Sequence, residues 1–215
     1  MNREPISPAY RAVMIAATPI VRWWGRLEVV GADLIPDGPV VLVANHDSYW
    51  DPLVIGVAAY PRRQIRALAK ASLWKNPVVS KVLVGMRQIP VERGRGDLQA
   101  LTEAIGALRS GACIGVFPEG TTSRGNVTRV HSGGGRIIQA VPEASVLSVA
   151  LTGAVDLVRF PHRPRIRVTF FEPSGGQPAE GESAMALMKR IMLDVRGRAP
   201  HAVPGRAKRR AAVSP

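Results

Sequence analysis

A histidine and an aspartate five residues apart, His46 and Asp51, stand in the run Asn45-His46-Asp47-Ser48-Tyr49-Trp50-Asp51, immediately after the apolar stretch Val40–Ala44. Imidazole accepts and returns protons near neutral pH, and a carboxylate on its second nitrogen fixes the tautomer and stabilises the imidazolium. A regular helix would not set residues five apart on one face. A tight turn entering a helix can bring the two side chains together. The same spacing also suits an aspartate that caps a helix at Asp51-Pro52 beside an ordinary turn histidine, and this segment alone leaves both readings open.

Two further blocks carry groups of the same kind. Gly85-Met86-Arg87-Gln88-Ile89-Pro90-Val91-Glu92-Arg93 sets two guanidiniums around a short extended run. Arginine suits bidentate binding of phosphate, and a solvated face with Glu92 paired to a neighbour is the plainer alternative. Phe117-Pro118-Glu119-Gly120-Thr121-Thr122-Ser123-Arg124 follows a second apolar run and gathers a carboxylate, a glycine, three hydroxyls and an arginine. A purely structural loop seldom needs all of these. Beyond it, His131-Ser132-Gly133-Gly134-Gly135-Arg136 leads into a helix. No Gly-x-Ser-x-Gly elbow occurs, which argues against Ser48, Ser123 or Ser132 as a hydrolase nucleophile.

The elements that must hold these groups follow from periodicity and breakers. A short strand is expected over 26–30, then a turn through 33–38 at Pro36 and Gly38. Val40–Ala44 is a continuous β-branched run of the kind buried on both faces of a sheet. A helix is expected over 51–60, a strand over 65–69 and a helix over 76–85. Leu98, Leu101, Ile105 and Leu108 fall at helical spacing within 97–110, and Gly111 stops that helix. A second buried strand follows at 112–117, then a long loop over 118–134 of the sort that more often serves function than mere connection. A helix over 136–141, strands over 146–151 and 165–171, and a helix over 182–196 complete the pattern. Strands alternating with helices give an α/β protein.

Residues 10–24 are apolar, flanked by Arg11 and Arg22, with Pro19 expected to kink or end a helix and Trp23-Trp24 at its end. That composition suits a helix in the membrane interface, and packing on the domain is the competing reading. The run is too short and interrupted to span a bilayer, which takes ~20 apolar residues. No cleavage site of a secretory signal follows it. Three regions result: an interfacial segment at 1–25, a catalytic domain at 26–197, and a basic tail at 198–215 expected to be disordered.

Composition bounds the partners. The 215 residues carry a net charge of +13, which calls for a polyanion: nucleic acid or an anionic membrane surface. Basic residues cluster at Arg62, Arg63, Arg66 and Lys70, at Arg159, Arg163, Arg165 and Arg167, and from Arg196 to Arg210. No alternation of basic and aromatic residues, zinc-finger spacing or RNA-recognition signature accompanies them, so a nucleic-acid partner is not expected. The single cysteine, Cys113, lies in the apolar run at 112–117 and reads as a core residue.

The blocks Asn45-His46-x4-Asp51, Ile89-Pro90-Val91-Glu92-Arg93 and Phe117-Pro118-Glu119-Gly120-Thr121-Thr122-Ser123-Arg124, in this order, resemble those of the glycerolipid acyltransferase family, whose best-known members are the 1-acylglycerol-3-phosphate acyltransferases. The resemblance covers roughly residues 27–153. It implies a central mixed sheet flanked by helices, and transfer of an acyl group from acyl-CoA or acyl carrier protein to a lysophospholipid hydroxyl, without metal or other cofactor. The resemblance makes His46 the base and Asp51 its orienting acid. Arg93 matches the arginine associated with the acceptor's phosphate; Glu119 and Gly120 match the block linked to acceptor binding, which Thr121, Ser123 and Arg124 extend. It further implies a peripheral or monotopic place on the cytoplasmic face of the cell membrane. Three positions depart from the family's pattern: Glu92 stands where aspartate is common, His131 where a lysine is frequent, and Ser148 where a proline usually lies. The last two keep a different lysophospholipid, a glycolipid or an aminolipid open as the acceptor.

Overall fold

The computed structural model describes residues 3–92 and 97–202. Seven strands form one mixed sheet among the described residues: β1 (Glu28–Val30), β2 (Val40–Ala44), β3 (Ile65–Lys70), β4 (Ile89–Val91), β5 (Cys113–Val116), β6 (Ser145–Thr152) and β7 (Arg167–Phe171). Their order across the sheet is β1-β7-β6-β2-β5-β3-β4. Every pairing is parallel except β6 with β7. The α/β architecture with a central mixed sheet is as expected. Pro90 is accommodated because β4 is an edge strand, where a missing N–H costs no ladder bond.

Alternation along β2 explains its wholly apolar sequence. Val40, Leu42 and Ala44 join a core shared with α1 (Pro8–Thr18) and α2 (Asp51–Ala59). Val41 and Val43 face the opposite layer, built by α4 (Leu98–Arg109), α5 (Gly133–Gln139) and α6 (Ala184–Arg198). With both faces covered, the strand has no polar side to show. Cys113 is fully buried in the first layer, where burial pushes its thiol up to about 12, as expected of a core cysteine. Helix α3 (Pro77–Gly85) is capped by the Asn76 side chain.

The N-terminal helix is docked on the domain. Tyr10, Met14, Ala17 and Val21 are buried against α2 and the sheet. At Pro19 the α-helix stops and six residues continue as a π-helical segment, Pro19–Trp24. Ile15, Ile20 and Trp23 remain exposed on the other side. No helix among the described residues is long and apolar enough to cross a membrane. Helix α6 runs one residue past the expected domain end at 197. Residues 203–215 of the expected tail lie outside the described residues.

Several arginines of the basic clusters are not on the surface as the charge reading supposed. Arg63 is buried and donates to the carbonyls of Pro36, Gly38 and Gly111. Arg66 and Arg87 both bind the Glu4 carboxylate, which leaves Arg87 committed to the N-terminal segment. Arg196 is enclosed within the site described next.

Candidate active site

Strands β2, β5 and β6 are parallel neighbours, so their carboxyl ends open on one edge of the sheet. This is where open α/β sheets build their sites. The turn after β2 carries His46, the loop after β5 carries Glu119, and Asn45 joins the first to β6 through bonds of 2.9 and 2.8 Å with the Leu151 carbonyl and amide.

His46 and Asp51 meet. The imidazole Nδ1 lies 3.1 Å from Asp51 Oδ2, and the Asp47 and Ser48 amides donate to the same oxygen at 2.7 and 2.8 Å. Asp51 is therefore not the helix cap. Trp50 occupies that position, and Asp51 sits in the first turn with its carboxylate bent back over the preceding loop. Its burial raises the carboxyl above the usual aspartate range, against the opposing pull of the His46 ring and the two amides. With Nδ1 held as donor to the carboxylate, Nε2 is left as the basic nitrogen. The ring stacks on Phe117, centroids 4.5 Å apart.

His46 stands at the wall of a cavity of about 520 Å³. Leu42, Ala44, Ile65, Gly115, Met14 and Tyr10 contribute to its lining, to which Tyr49, Lys70 and His131 add polar groups. The size falls within the range of specific small-ligand sites. A Cβ added to Gly115 would come within 2.8 Å of an Ile65 methyl, so glycine there keeps the interior open.

The third block divides into two roles. Glu119 is buried; its Oε2 accepts from the His46 amide at 2.8 Å. Ser123 is buried as well, its amide donating to the His46 carbonyl at 2.7 Å and its hydroxyl to Asp47. These residues brace the histidine turn rather than line the cavity. Gly120 lines it with φ +65°, a conformation that favours glycine, and a Cβ there would press on the His131 ring. Arg124 donates to the exposed Tyr49 hydroxyl at 3.0 Å, and Thr121 is exposed. Arg93 lies outside the described residues.

Two residues of this region escaped the sequence reading. Lys70, at the carboxyl end of β3, brings a cation to the cavity wall; the place of its strand in the sheet was the only available signal. Arg196 opens the basic cluster that runs to Arg210, and in the fold it binds both Asp47 and Glu119. Among the described residues no cluster of three or more His, Cys, Asp or Glu side chains could hold a metal ion. Ser148, at the position of the family's usual proline, is fully buried within β6 without disturbing its pairing.

The arrangement sets a basic imidazole nitrogen, oriented by a buried carboxylate, beside an apolar cavity on the carboxyl edge of an α/β sheet. Residues 26–152 match the sequence profile of the family described as Acyltransferase, and the chain belongs to that family. It is 36% identical over 145 residues to the 1-acyl-sn-glycerol-3-phosphate acyltransferase of Borreliella burgdorferi, covering 65% of this chain and 57% of that protein. It is 30% identical over 135 residues to the lyso-ornithine lipid O-acyltransferase of Pseudomonas aeruginosa, covering 59% of this chain and 50% of that protein. The chain thus spans about half the length of these curated relatives. The crystal structure of the 1-acyl-sn-glycerophosphate acyltransferase PlsC from Thermotoga maritima shares the fold, with a TM-score of 0.66 at 24% identity over 88% of this chain and 78% of that one.

Proposed function

We propose that this protein transfers an acyl group from a thioester of coenzyme A or acyl carrier protein to the hydroxyl of a lysophospholipid, with 1-acyl-glycerol-3-phosphate as acceptor and phosphatidate as product. The observation that carries this reading is the His46–Asp51 pair at the wall of the apolar cavity. Nε2 of His46 takes the acceptor hydroxyl proton as the oxygen attacks the thioester carbonyl carbon. Asp51 balances the imidazolium. The tetrahedral intermediate collapses with cleavage of the C–S bond, and the imidazolium returns its proton to the departing thiolate. The acyl chain lies among Leu42, Ile65, Gly115 and Met14. Lys70 and Arg124, joined by Arg93, supply cations for the acceptor's phosphate; Glu119 and Ser123 hold the loop that presents His46. Similarity to the lyso-ornithine lipid enzyme, together with histidine at position 131, favours an aminolipid acceptor as the second reading.

The membrane is proposed as the place of action, on its cytoplasmic face. Ile20, Trp23, Val158 and Phe160 are exposed apolar residues. Trp24 stacks on Phe160 with centroids 5.9 Å apart, and Arg163 lies over the Trp24 ring, so the N-terminal segment and this loop form one patch with cations beside it. Aromatic and basic residues together suit the headgroup region of anionic lipid.

The test is thiol release from palmitoyl-CoA by the purified protein with lysophosphatidate, with lyso-ornithine lipid, and with neither, beside His46→Ala. Release that needs lysophosphatidate and vanishes in the variant upholds the reading. Release with lyso-ornithine lipid alone moves the acceptor to the aminolipid. Release with no acceptor at all makes the protein a thioesterase and overturns it.

A further inference from the structure

We propose that Arg196, on the last turn of α6, is a positioning residue for His46, acting by locking the Asp47 and Glu119 carboxylates that define the histidine turn. This rests on the reading of His46 as the base. The guanidinium donates from Nε to Glu119 Oε1 at 2.8 Å, from Nη1 to Asp47 Oδ2 at 2.9 Å and from Nη2 to Asp47 Oδ1 at 3.0 Å. Nη2 also donates to Glu119, and Nη1 to the Ala199 carbonyl at 3.2 Å. One side chain therefore ties the loop after β2 to the loop after β5. Both carboxylates reach the histidine turn directly: Glu119 Oε2 takes the His46 amide, and Asp47 is the next residue in the chain. Ser123 and Asn45 close the ring by donating to Asp47.

Electrostatics makes the third member necessary. Asp47 and Glu119 are both buried, and two carboxylates held close together repel unless a cation stands between them. Burial works against the charge of Arg196, yet the bonds and charges of Asp47 and Glu119 more than offset it, and the guanidinium's pKa is raised. Only a planar fork with donors on several sides can serve two carboxylates at once; an ammonium is a point charge with a different reach. Arg196 lies 44 residues beyond the end of the family match at residue 152, so the catalytic turn depends on a helix outside the matched span.

The test uses the full chain with Arg196→Met, Arg196→Lys and Arg196→Ala, assayed by thiol release, thermal unfolding and nitrogen-edited NMR of the His46 ring. A misplaced base costs turnover rather than binding, so kcat is expected to fall about 100-fold in Arg196→Met with KM for the thioester nearly unchanged. Lysine recovers only part of the loss, methylguanidinium restores Arg196→Ala in part, and the His46 ring signals shift in every variant. A folded Arg196→Met with wild-type kcat overturns the proposal. So does a loss that follows the unfolded fraction alone, with lysine and methylguanidinium without effect. Should the wild type transfer no acyl group, the NMR comparison still decides: shifted His46 signals uphold the positioning role, and unchanged signals overturn it.

Discussion

Nδ1 of His46 and Oδ2 of Asp51, five positions apart in the chain, stand 3.1 Å apart, and the same carboxylate oxygen closes the turn by accepting from the Asp47 and Ser48 amides. One oxygen thus shapes the loop and orients the His46 ring. Its partner, Oδ1, is buried without a hydrogen bond among the described residues. The carboxyl is therefore incompletely compensated, consistent with its raised pKa.

Asp51→Asn separates these roles. Loss of the charge that balances the imidazolium is expected to lower kcat by about 10²–10⁴-fold. Stability moves the other way. A folded-state pKa above the unfolded value means that the native state holds this proton more tightly, so ionisation of Asp51 subtracts stability once the pH passes the ordinary aspartate value. The amide carries no such cost. A thermal melt at pH 7 should show a midpoint equal to or above that of the wild type; a much lower one would mean that the carboxylate is needed to form the turn.

Glu119→Gln removes the charge that faces Arg196 and weakens the acceptor for the His46 amide. Breaking a buried ion pair from one side typically costs about 3–5 kcal/mol. Denaturant titration should report a loss of that order, with turnover falling as well. A stable, active variant would show that Asp47 alone holds the guanidinium.

Glu4 ties the N-terminal segment to Arg66 and Arg87. Burial raises its pKa, but the two guanidiniums more than offset this and hold it below the usual glutamate value of 4.5. The stability it contributes is thus fully present above about pH 4.5 and is lost as the pH falls through the lower folded value. Glu4→Gln should destabilise the protein by about 1 kcal/mol at pH 7, the small figure reflecting solvent screening. That difference should shrink as the pH of the melts is lowered below about 4.5.

Gly115→Val places two methyls inside the cavity where even a Cβ meets Ile65 at 2.8 Å. With overpacking of this kind costing about 1–3 kcal/mol, the preferred acyl chain is expected to shorten, read as the ratio of thiol release from lauroyl- and palmitoyl-CoA. An unchanged ratio would place the chain elsewhere.

Trp23→Ser with Phe160→Ser removes the two most exposed rings of the N-terminal patch. Sedimentation with anionic vesicles should drop about tenfold, while turnover on a water-soluble short-chain thioester stays close to the wild type. Undiminished sedimentation would assign lipid binding to another surface.

Legibility differed from element to element. Val40–Ala44 was readable to the residue because a strand buried on both faces has no polar positions to blur its ends. The amphipathic helix Leu98–Arg109 was readable because its apolar stripe has the period of a helix. Helix α5 starts three residues before its expected first residue because Gly133–Gly135 looks like loop in sequence, yet α6 packs so tightly on it that a Cβ at Gly135 would strike the Ala184 backbone. Asp51 looked as much like a cap as a catalytic partner, since an aspartate before proline serves either purpose until the direction of its carboxylate is known.

The order of the three blocks, the apolar strands and the surplus of positive charge belong to the sequence itself, because local periodicity and residue chemistry are written along the chain. The meeting of His46 with Glu119, the place of Lys70 at the cavity and the withdrawal of Arg63, Arg66 and Arg196 from the surface are tertiary facts. They depend on which strands become neighbours, and a count of charges cannot tell a guanidinium facing lipid from one enclosed by two carboxylates. Arg196 shows the difference: in the sequence it opens a basic cluster, and in the fold it is 149 residues from Asp47 along the chain and 2.9 Å away.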